Sequence, residues 1–288
     1  MAITNFIPTV WSENLYNHLN NKYVAVANCS RAWEGEIKKY GDRVKICSVG
    51  PVSIFDYKKN SNLPAPAVLT DSAAELEISQ AKAFNFLIDD IDKAQAKPAL
   101  MDMAVRRAAD ALADTADHYV FSLYDTVSKE NTFDVTEPTE QAVMDAIMAA
   151  LLKLQQNGVS DGIVLEVTPE IAAIILKLKM NLATDNSAAL ENGCIGSIAG
   201  CKIYVSRNVN KESQGEYTFH KCLMRTKNAI AFAEQLSEIE AYRPELRFAD
   251  AVKGLHLYGA KIVRPEEIML INIINSAVTV TAINDEVQ

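Results

Sequence analysis

Residues 43–49 read RVKICSV, and residues 71–89 read DSAAELEISQAKAFNFLID. Apolar and polar side chains alternate along both stretches, and this period of two is typical of strands that are buried on one face only. The loop between them, residues 50–70, is rich in Pro, Lys and Asn and contains nothing that could build a core of its own. Because so long a loop is uncommon inside a compact domain, we expect it to contact something outside that domain.

The two stretches predict one hairpin with a shared apolar face. The residues of that face are Val44, Ile46 and Ser48 in the first stretch and Leu76, Ile78, Phe84, Phe86 and Ile88 in the second. We expect this hairpin to extend from Arg31 to about Ile91.

Composition restricts the class of protein. Hydrophobic residues make up 49% of the 288, which is enough for a folded core and argues against disorder. The net charge of -9 argues against wrapping nucleic acid, because phosphates require a Lys- and Arg-rich surface. Charges interrupt every apolar run before about 18 residues, so no transmembrane span is predicted, and the start lacks the basic segment of a signal peptide. Five scattered cysteines without a Cys-x-x-Cys pair predict reduced thiols in a cytosolic setting.

Helical periodicity appears before and after the hairpin. Residues 1–30 predict an arm with one short amphipathic helix through Trp11, Leu15 and Leu19. Residues 99–129 carry a continuous, alanine-rich apolar stripe that predicts one helix of roughly 45 Å. Its aspartates are expected on the solvated face as ordinary i,i+4 partners of arginine. These aspartates are Asp102, Asp110, Asp114 and Asp117.

The remaining elements predict an α+β fold with a discontinuous domain, because they do not repeat as βαβ units. Helices are expected from Thr136 to Gly158 and from Thr168 to about Met180, each starting at a threonine N-cap. Strands are expected at residues 162–167, 202–206, 217–224, 229–233, 256–263 and 268–274.

No group of residues predicts catalysis, a cofactor or a metal site. Gly193, Gly196 and Gly200 superficially resemble a phosphate loop, but the Gly-Lys-Ser/Thr ending is absent and a strand follows instead of a helix. We expect these glycines to turn the backbone into that strand. The histidines are far apart, lack zinc-site spacing and are expected to be structural; they are His18, His118, His220 and His256.

Three segments carry a family resemblance. They are YGDRVKI at 40–46, GSIAGCKIYVSRN at 196–208 and VKGLHLYGAKIVRP at 252–265. In this order and spacing, together with the hairpin and the long helix, the chain resembles tailed-bacteriophage major capsid proteins with the Hong Kong 97-type fold, in the podovirus-like coat branch.

The resemblance implies a subunit divided into four parts. They are an N-terminal arm (1–30), an extended loop hairpin (31–92), a peripheral domain with a spine helix (93–135 and 250–288) and an axial domain (136–249). It implies a structural protein without enzymatic activity, whose copies form pentamers and hexamers of an icosahedral shell enclosing double-stranded DNA without reading its sequence. It further implies a separate scaffolding protein and a portal as partners, no membrane, and a virion capsid assembled in the host cytoplasm.

Under this hypothesis the hairpin is an intersubunit arm whose alternating face is completed by another copy of the chain. The expected contact residues are Asp56, Tyr57, Lys58, Lys59, Asn60, Leu76, Ile78, Phe84, Trp11, Arg106 and Arg107. Backbone turns of the axial and peripheral domains are expected at Gly193, Gly196, Gly200, Gly254 and Gly259.

Two alternatives stay open. The first is an encapsulin-like nanocompartment shell, which shares the implied fold but encloses enzyme cargo. The second is a soluble α+β enzyme in which residues 50–70 form an active-site lid, although no catalytic residues are evident.

Overall fold

A computed structural model describes residues 7–34, 40–49, 54, 56, 59, 62, 71–89, 100–137, 139–177, 194–215 and 217–276. The helices are α1 (Ile7–Lys22), α2 (Leu100–Ser122), α3 (Glu140–Gln156) and α4 (Pro169–Lys177). The strands are β1 (Arg43–Val49), β2 (Asp71–Glu77), β3 (Gln80–Asp89), β4 (Thr132–Val135), β5 (Ile163–Val167), β6 (Cys194–Ile198), β7 (Cys201–Val205), β8 (Lys211–Gln214), β9 (Tyr217–Thr226), β10 (Ile230–Tyr242), β11 (Ala249–Ile262) and β12 (Ile268–Ser276). Short 3₁₀ turns lie at Val26–Asn28, Leu123–Thr126, Lys129–Asn131 and Pro265–Glu267.

A seven-stranded sheet forms one half of the fold. Its order is β4-β12-β9-β5-β7-β6, and β8 also pairs with β9. The β4–β12 and β5–β7 pairs are parallel and the other pairs are antiparallel. Helices α3 and α4 cover one face with side chains such as Val143, Ile147 and Ile171. All five residues of β5 are buried, which matches the continuous apolar run in the sequence.

A three-stranded antiparallel sheet with the order β10-β11-β3 forms the other half. The alanine-rich stripe of α2 packs between the two sheets, where Ala116 and Phe121 share a core with Phe232 of β10 and Leu223 of β9. Small side chains on α2 permit this close approach because they keep the helix surface flat. None of the helices in the described part of the chain is long and apolar enough to cross a membrane.

The predicted hairpin is two separate structures. Strands β1 and β2 pair from Arg43↔Glu77 to Val49↔Asp71, as the alternation predicts. After Ile78 and Ser79 the chain enters β3, which pairs with β11 in the three-stranded sheet instead of continuing β2. The sequence does not show this break because the apolar period of two continues across it.

The apolar face at the base of the hairpin is completed within the same chain. Leu76 and Ile78 are fully buried, packed with Ala231, Ala233 and Leu257. This corrects the prediction for Leu76 and Ile78, which are core residues of one subunit and not exposed contact residues. Small alanines on β10 leave the room that the two larger side chains occupy.

Several boundaries also differ from the sequence-based expectation. Helix α2 ends at Ser122 and continues as a 3₁₀ turn, short of the predicted end at Lys129. Helix α3 starts after Thr139, whose side chain accepts a hydrogen bond from the amide of Ala142 at 3.2 Å, and not at Thr136. Helix α4 ends at Lys177 within its described part, and the predicted end at Met180 lies outside the described residues.

Strand β10 is more than twice as long as predicted. Its second half, 234–242, contains four acidic or amide residues, and the pairing with β11 shifts register between Ser237 and Glu240. The sequence does not show the alternation of apolar and polar residues that identifies a strand here, because the acidic Glu234 is buried and the bulge shifts the pattern by one residue.

Candidate assembly surface and its anchoring in the subunit

The exposed face of β1 and β2 carries a ladder of opposite charges. Arg43 lies 3.5 Å from Glu77 and 3.9 Å from Glu75, and Lys45 lies 4.0 Å from Glu75. These side chains are 45–71% exposed. The first strand of the hairpin is therefore basic on its open face and the second is acidic. Loose, hydrated pairs of this kind contribute little to the stability of a subunit and keep the strand edges soluble.

Beyond the ladder, four loop residues are described, and all of them are exposed: Ile54, Asp56, Lys59 and Asn62. Ile54 is 93% exposed, and Leu246 and Phe248 are exposed to a similar degree. The predicted contact residues Tyr57, Lys58 and Asn60 lie outside the described residues.

The other predicted contact residues are distributed over the subunit. Arg106 and Arg107 are exposed on α2. Phe84 on β3 is half-buried and stacks on Phe86, with 6.1 Å between ring centroids. Trp11 lies on α1, and its side chain is outside the described part of the structure.

Gly259 marks the point where the hairpin docks on the sheet. A Cβ atom at this position of β11 would lie 2.2 Å from the carbonyl oxygen of Glu77 and 3.2 Å from the Cα of Ile78. Only glycine allows the end of β2 to approach β11 this closely. The base of the hairpin is thus seated on β10 and β11, and residues 50–70 follow at its far end.

The other predicted glycine positions have mixed outcomes. Gly200 has a φ of 84° and, with Ala199 at 48°, forms the two-residue turn between β6 and β7. Gly196 has a φ of 146° beside an irregularity in the β6–β7 pairing. Gly254 lies within β11 and not at a turn, and Gly193 lies outside the described residues.

Residues 23–31 follow α1 and pack against α2 and strands of both sheets, and we call this segment the strap. Tyr23, Val26 and Cys29 are 0–1% exposed. Ser30 also bridges to β10, since its amide donates to the carbonyl of Ile230 at 2.9 Å and its carbonyl accepts from the amide of Phe232 at 2.9 Å. Among its described side chains, the predicted arm therefore contributes core residues, which include Leu15, Leu19 and Tyr23.

An ion pair without solvent exposure holds the strap to the seven-stranded sheet. The guanidinium of Arg225 donates Nε to Glu166 Oε2 at 2.9 Å and Nη2 to Oε1 at 2.8 Å. It also donates to the carbonyl oxygens of Ala25, at 2.9 Å, and Asn28. Burial raises the pKa of Glu166, and the charge and hydrogen bonds of Arg225 oppose that shift. Every donor and acceptor of this pair that faces the strap is thereby engaged.

A second buried cluster joins the strap to the three-stranded sheet. Glu234 on β10 accepts hydrogen bonds from Tyr23 and Arg31 and lies 2.8 Å from Nε2 of His256. Burial favours the neutral acid, but His256, Arg31 and Tyr23 outweigh it and hold the pKa of Glu234 below its usual range. Burial and the carboxylate of Glu234 raise the pKa of Tyr23.

Asp117 on α2 provides the third attachment. Its carboxylate is 1% exposed and accepts hydrogen bonds from the amides of Val24 at 2.9 Å and Val26 at 3.0 Å. This corrects its expected place on a solvated helix face. Asp110 and Asp114 are partly exposed, and their observed partners are Lys22 and Arg207 instead of a helical arginine.

Sequence reasoning missed all three attachments, because their partners are far apart along the chain. Glu166 and Arg225 are separated by 59 residues, and Asp117 and Val26 by 91. The one available signal was a charged residue inside an apolar strand pattern, IVLEV at 163–167.

Two cysteine thiols and one histidine lie in buried surroundings. Burial raises the pKa of the Cys201 and Cys222 thiols to about 12, so both stay protonated and unreactive at neutral pH. His220 lies 2.9 Å from the hydroxyl of Thr168, which is a structural contact as expected. Across the described ranges, no three His, Cys, Asp or Glu side chains converge as a metal site would require.

Comparison with known proteins rests on structure. No family model matches the chain, and no curated protein does. A solved structure described as Mycobacterium phage Che8 is similar over 94% of this chain and 98% of its own, with 28% identity and a TM-score of 0.64. The capsid of Ralstonia phage GP4 is similar over 88% of this chain and 89% of its own, with 12% identity and a TM-score of 0.67. The chain has the fold of a phage capsid protein.

This capsid fold confirms the resemblance to tailed-phage major capsid proteins and the α+β class predicted from the sequence. A virus-like particle from Pyrococcus furiosus is also similar, over 90% of this chain and 96% of its own, with 14% identity and a TM-score of 0.53. Structures similar to this chain therefore include both phage capsids and a virus-like particle.

Proposed function

We propose that this chain is the major structural subunit of a phage capsid shell and acts by binding other copies of itself. The observation that carries the proposal is the similarity to a phage structure over 94% of this chain and 98% of its own, with 28% identity. The three buried attachments of the strap join α2 and both sheets within one subunit, which supports a chain that folds as one assembly unit.

The contact surface that we propose is the far end of the hairpin. Its base is held by the close approach at Gly259 and by the buried Leu76 and Ile78, and the exposed charge ladder extends from this base. A contact between this end and a different surface of the next copy is heterologous, and such contacts form rings when the rotation between copies closes. We propose pentamers and hexamers as these rings, in an icosahedral shell around double-stranded DNA.

The finer features of the proposal come from the family resemblance. They are the Hong Kong 97-type division into arm (1–30), hairpin (31–92), peripheral domain (93–135 and 250–288) and axial domain (136–249), with a separate scaffolding protein and a portal as partners. Location in a virion capsid assembled in the host cytoplasm belongs to the same proposal, as does a purely structural role.

Deleting residues 53–68 and closing the gap with a short Gly-Ser turn tests the proposal. We expect the variant to fold, with the far-ultraviolet circular dichroism of the full chain, but to form no shells under conditions in which the full chain assembles, by light scattering and negative-stain microscopy. The matched control replaces the same residues with a Gly/Ser loop of equal length, which preserves loop length and removes its side chains. Full-size shells from the deletion would contradict the proposed contact surface.

The similarity to a virus-like particle favours a second candidate, a nanocompartment shell that encloses protein. Both candidates require assembly, and they differ in content. Nuclease-protected DNA inside purified particles supports the phage capsid, and co-purified protein cargo without DNA supports the compartment.

A further inference from the structure

The turn between β10 and β11, residues 243–248, carries two large apolar side chains that its own subunit leaves uncovered, and we call it the tip. Leu246 is 97% exposed and Phe248 is 82% exposed. Of the large apolar side chains that the structure describes, only Ile54 is exposed to a similar degree. A single exposed apolar side chain is ordinary, but two of them on one short turn form an apolar patch.

The tip extends past the end of the three-stranded sheet. Strands β10 and β11 pair as far as Tyr242↔Ala251, and β3 pairs with β11 as far as Asp89↔Ala249. Residues 243–248 therefore lie beyond the last paired residues of β10 and have no neighbouring strand in the described part of the chain.

Contacts within the turn hold the tip to the end of the hairpin. The guanidinium of Arg243 lies 3.8 Å from the carboxylate of Asp250 across the base of the turn. The amide of Arg247 donates to the carbonyl of Pro244 at 3.5 Å. The apolar patch is thus carried on a closed turn of a paired hairpin.

The tip also carries one acid and one base that are not neutralised. Glu245 and Arg247 are both exposed, and neither has an ion-pair partner in the ranges that the structure describes. Within four residues the tip therefore presents one negative, one positive and two apolar side chains. A second tip has the matching set, because Glu245 of one copy can face Arg247 of the other while the apolar side chains meet.

We propose that the tip is a contact between copies of this chain, in which Glu245 of one copy pairs with Arg247 of the next and the apolar pairs pack together. A partner of a single charge sign would place like charges together at Glu245 or at Arg247. The inference rests on the proposed function, since a shell brings the copies together, but it concerns a surface separate from the far end of the β1–β2 hairpin.

The size of the tip predicts when the contact acts. A buried phenylalanine covers on the order of 200 Å², whereas a specific, stable interface buries roughly 1,600 Å². The tip alone is therefore too small to hold two copies together. It contributes once other contacts have raised the local concentration of tips, so we expect it to influence assembly and not the unassembled subunit.

Charge reversal at the tip tests the proposed pairing. Glu245→Arg and Arg247→Glu each place like charges at the contact, so each should raise the protein concentration needed for assembly by about tenfold or more. Light scattering measures this under conditions in which the full chain forms shells. The double variant Glu245→Arg/Arg247→Glu should assemble like the wild type, because both pairs are restored with reversed signs.

Mixing the two single variants separates a contact between copies from a contact within one chain. An equimolar mixture should assemble better than either variant alone, because one variant supplies two basic groups and the other two acidic groups. Lys261→Glu, an exposed charge reversal on the same β-hairpin, is the control and should assemble like the wild type.

The apolar patch is tested by Leu246→Ser/Phe248→Ser. This variant should also require a higher concentration for assembly, while its urea midpoint and circular dichroism stay unchanged because both side chains are exposed in the subunit. A lowered urea midpoint, together with no gain on mixing the charge variants, would mean that the tip is covered within its own chain and would overturn the proposal.

The proposed tip contact and the proposed function fail in different ways. Normal assembly of both single charge reversals would contradict the tip contact alone. A full chain that forms no shells would contradict both.

Discussion

The ion pair between Arg225 and Glu166, which holds the strap, and the charge ladder of the hairpin both join arginine to glutamate. The first is buried and the second is exposed to solvent. Arg225 and Glu166 are 0% exposed and form two hydrogen bonds of 2.8 and 2.9 Å. Arg43 and Glu77 are 61% and 50% exposed and lie 3.5 Å apart. The first pair has exchanged all of its hydration for fixed partners, whereas the second keeps water around both groups.

This difference separates two roles of charge in one subunit. A buried pair is costly to break because the remaining charge has no water to replace its partner. An exposed pair is held weakly, so its charges remain available to a second surface. We therefore expect mutations of the buried charged residues that hold the strap to change the stability of the subunit, and mutations in the ladder to change its association.

The largest effect is expected from Arg225→Met. It leaves Glu166 buried without a counter-charge and removes donors to the strap, so the free energy of unfolding should fall by about 3–5 kcal/mol. Urea denaturation monitored by tryptophan fluorescence measures this loss. The double variant Arg225→Met/Glu166→Leu should recover part of it, because no unpaired charge remains. A double variant as unstable as the single one would contradict this explanation.

A smaller, pH-dependent loss is expected from Glu234→Gln. The variant should lose about 2 kcal/mol at pH 7, which is typical of hydrogen bonds to a charged group. Because the folded state lowers the pKa of Glu234, its contribution is present above about pH 4 and lost as the pH falls further. Urea midpoints of the two proteins should therefore converge in acid. Glu240→Gln, on the same strand but exposed, is the control and should change little.

Gly259→Ala tests how the hairpin is seated. The added methyl group would lie 2.2 Å from the carbonyl oxygen of Glu77, so the end of β2 must move away, at a cost of about 1–3 kcal/mol. Hydrogen exchange of the Gly41 and Ile78 amides, which bond across the hairpin base at 3.0 and 3.1 Å, should accelerate. Lys261→Ala, an exposed position on the same strand, should leave both amides protected. Unchanged protection in Gly259→Ala would mean that the close approach is not required.

The smallest effect on the subunit is expected from Arg43→Met. It removes two exposed ion pairs and should change the free energy of unfolding by no more than about 0.5 kcal/mol. The midpoint of urea denaturation measures this, with Arg225→Met as the buried counterpart. If the free energy of unfolding falls by more than about 1 kcal/mol, the proposed difference between the buried ion pair and the exposed ladder is wrong.

Local periodicity predicted the elements whose burial follows a simple pattern. The stripe of α2, the apolar run of β5 and the alternation of β1 and β2 were all identified, because each side chain there points in the direction that its secondary structure dictates. The helix start at Thr139 was misplaced by three residues because Thr136 has the same capping chemistry. The predicted strand at 229–233 ends too early, just before Glu234. The side chain of Glu234 is buried, whereas acidic residues usually lie at the surface.

The sequence by itself determined the α+β class, the long helix, the hairpin and the resemblance to capsid proteins, since these depend on patterns within short segments and on their order. Only the tertiary structure decided that Leu76 and Ile78 are intrasubunit core, that Gly259 seats the hairpin, and that Asp117, Glu166 and Glu234 converge on the strap. The sequence does not show whether an acidic side chain is exposed to water or buried. Its role is decided by partners that folding brings from distant parts of the chain.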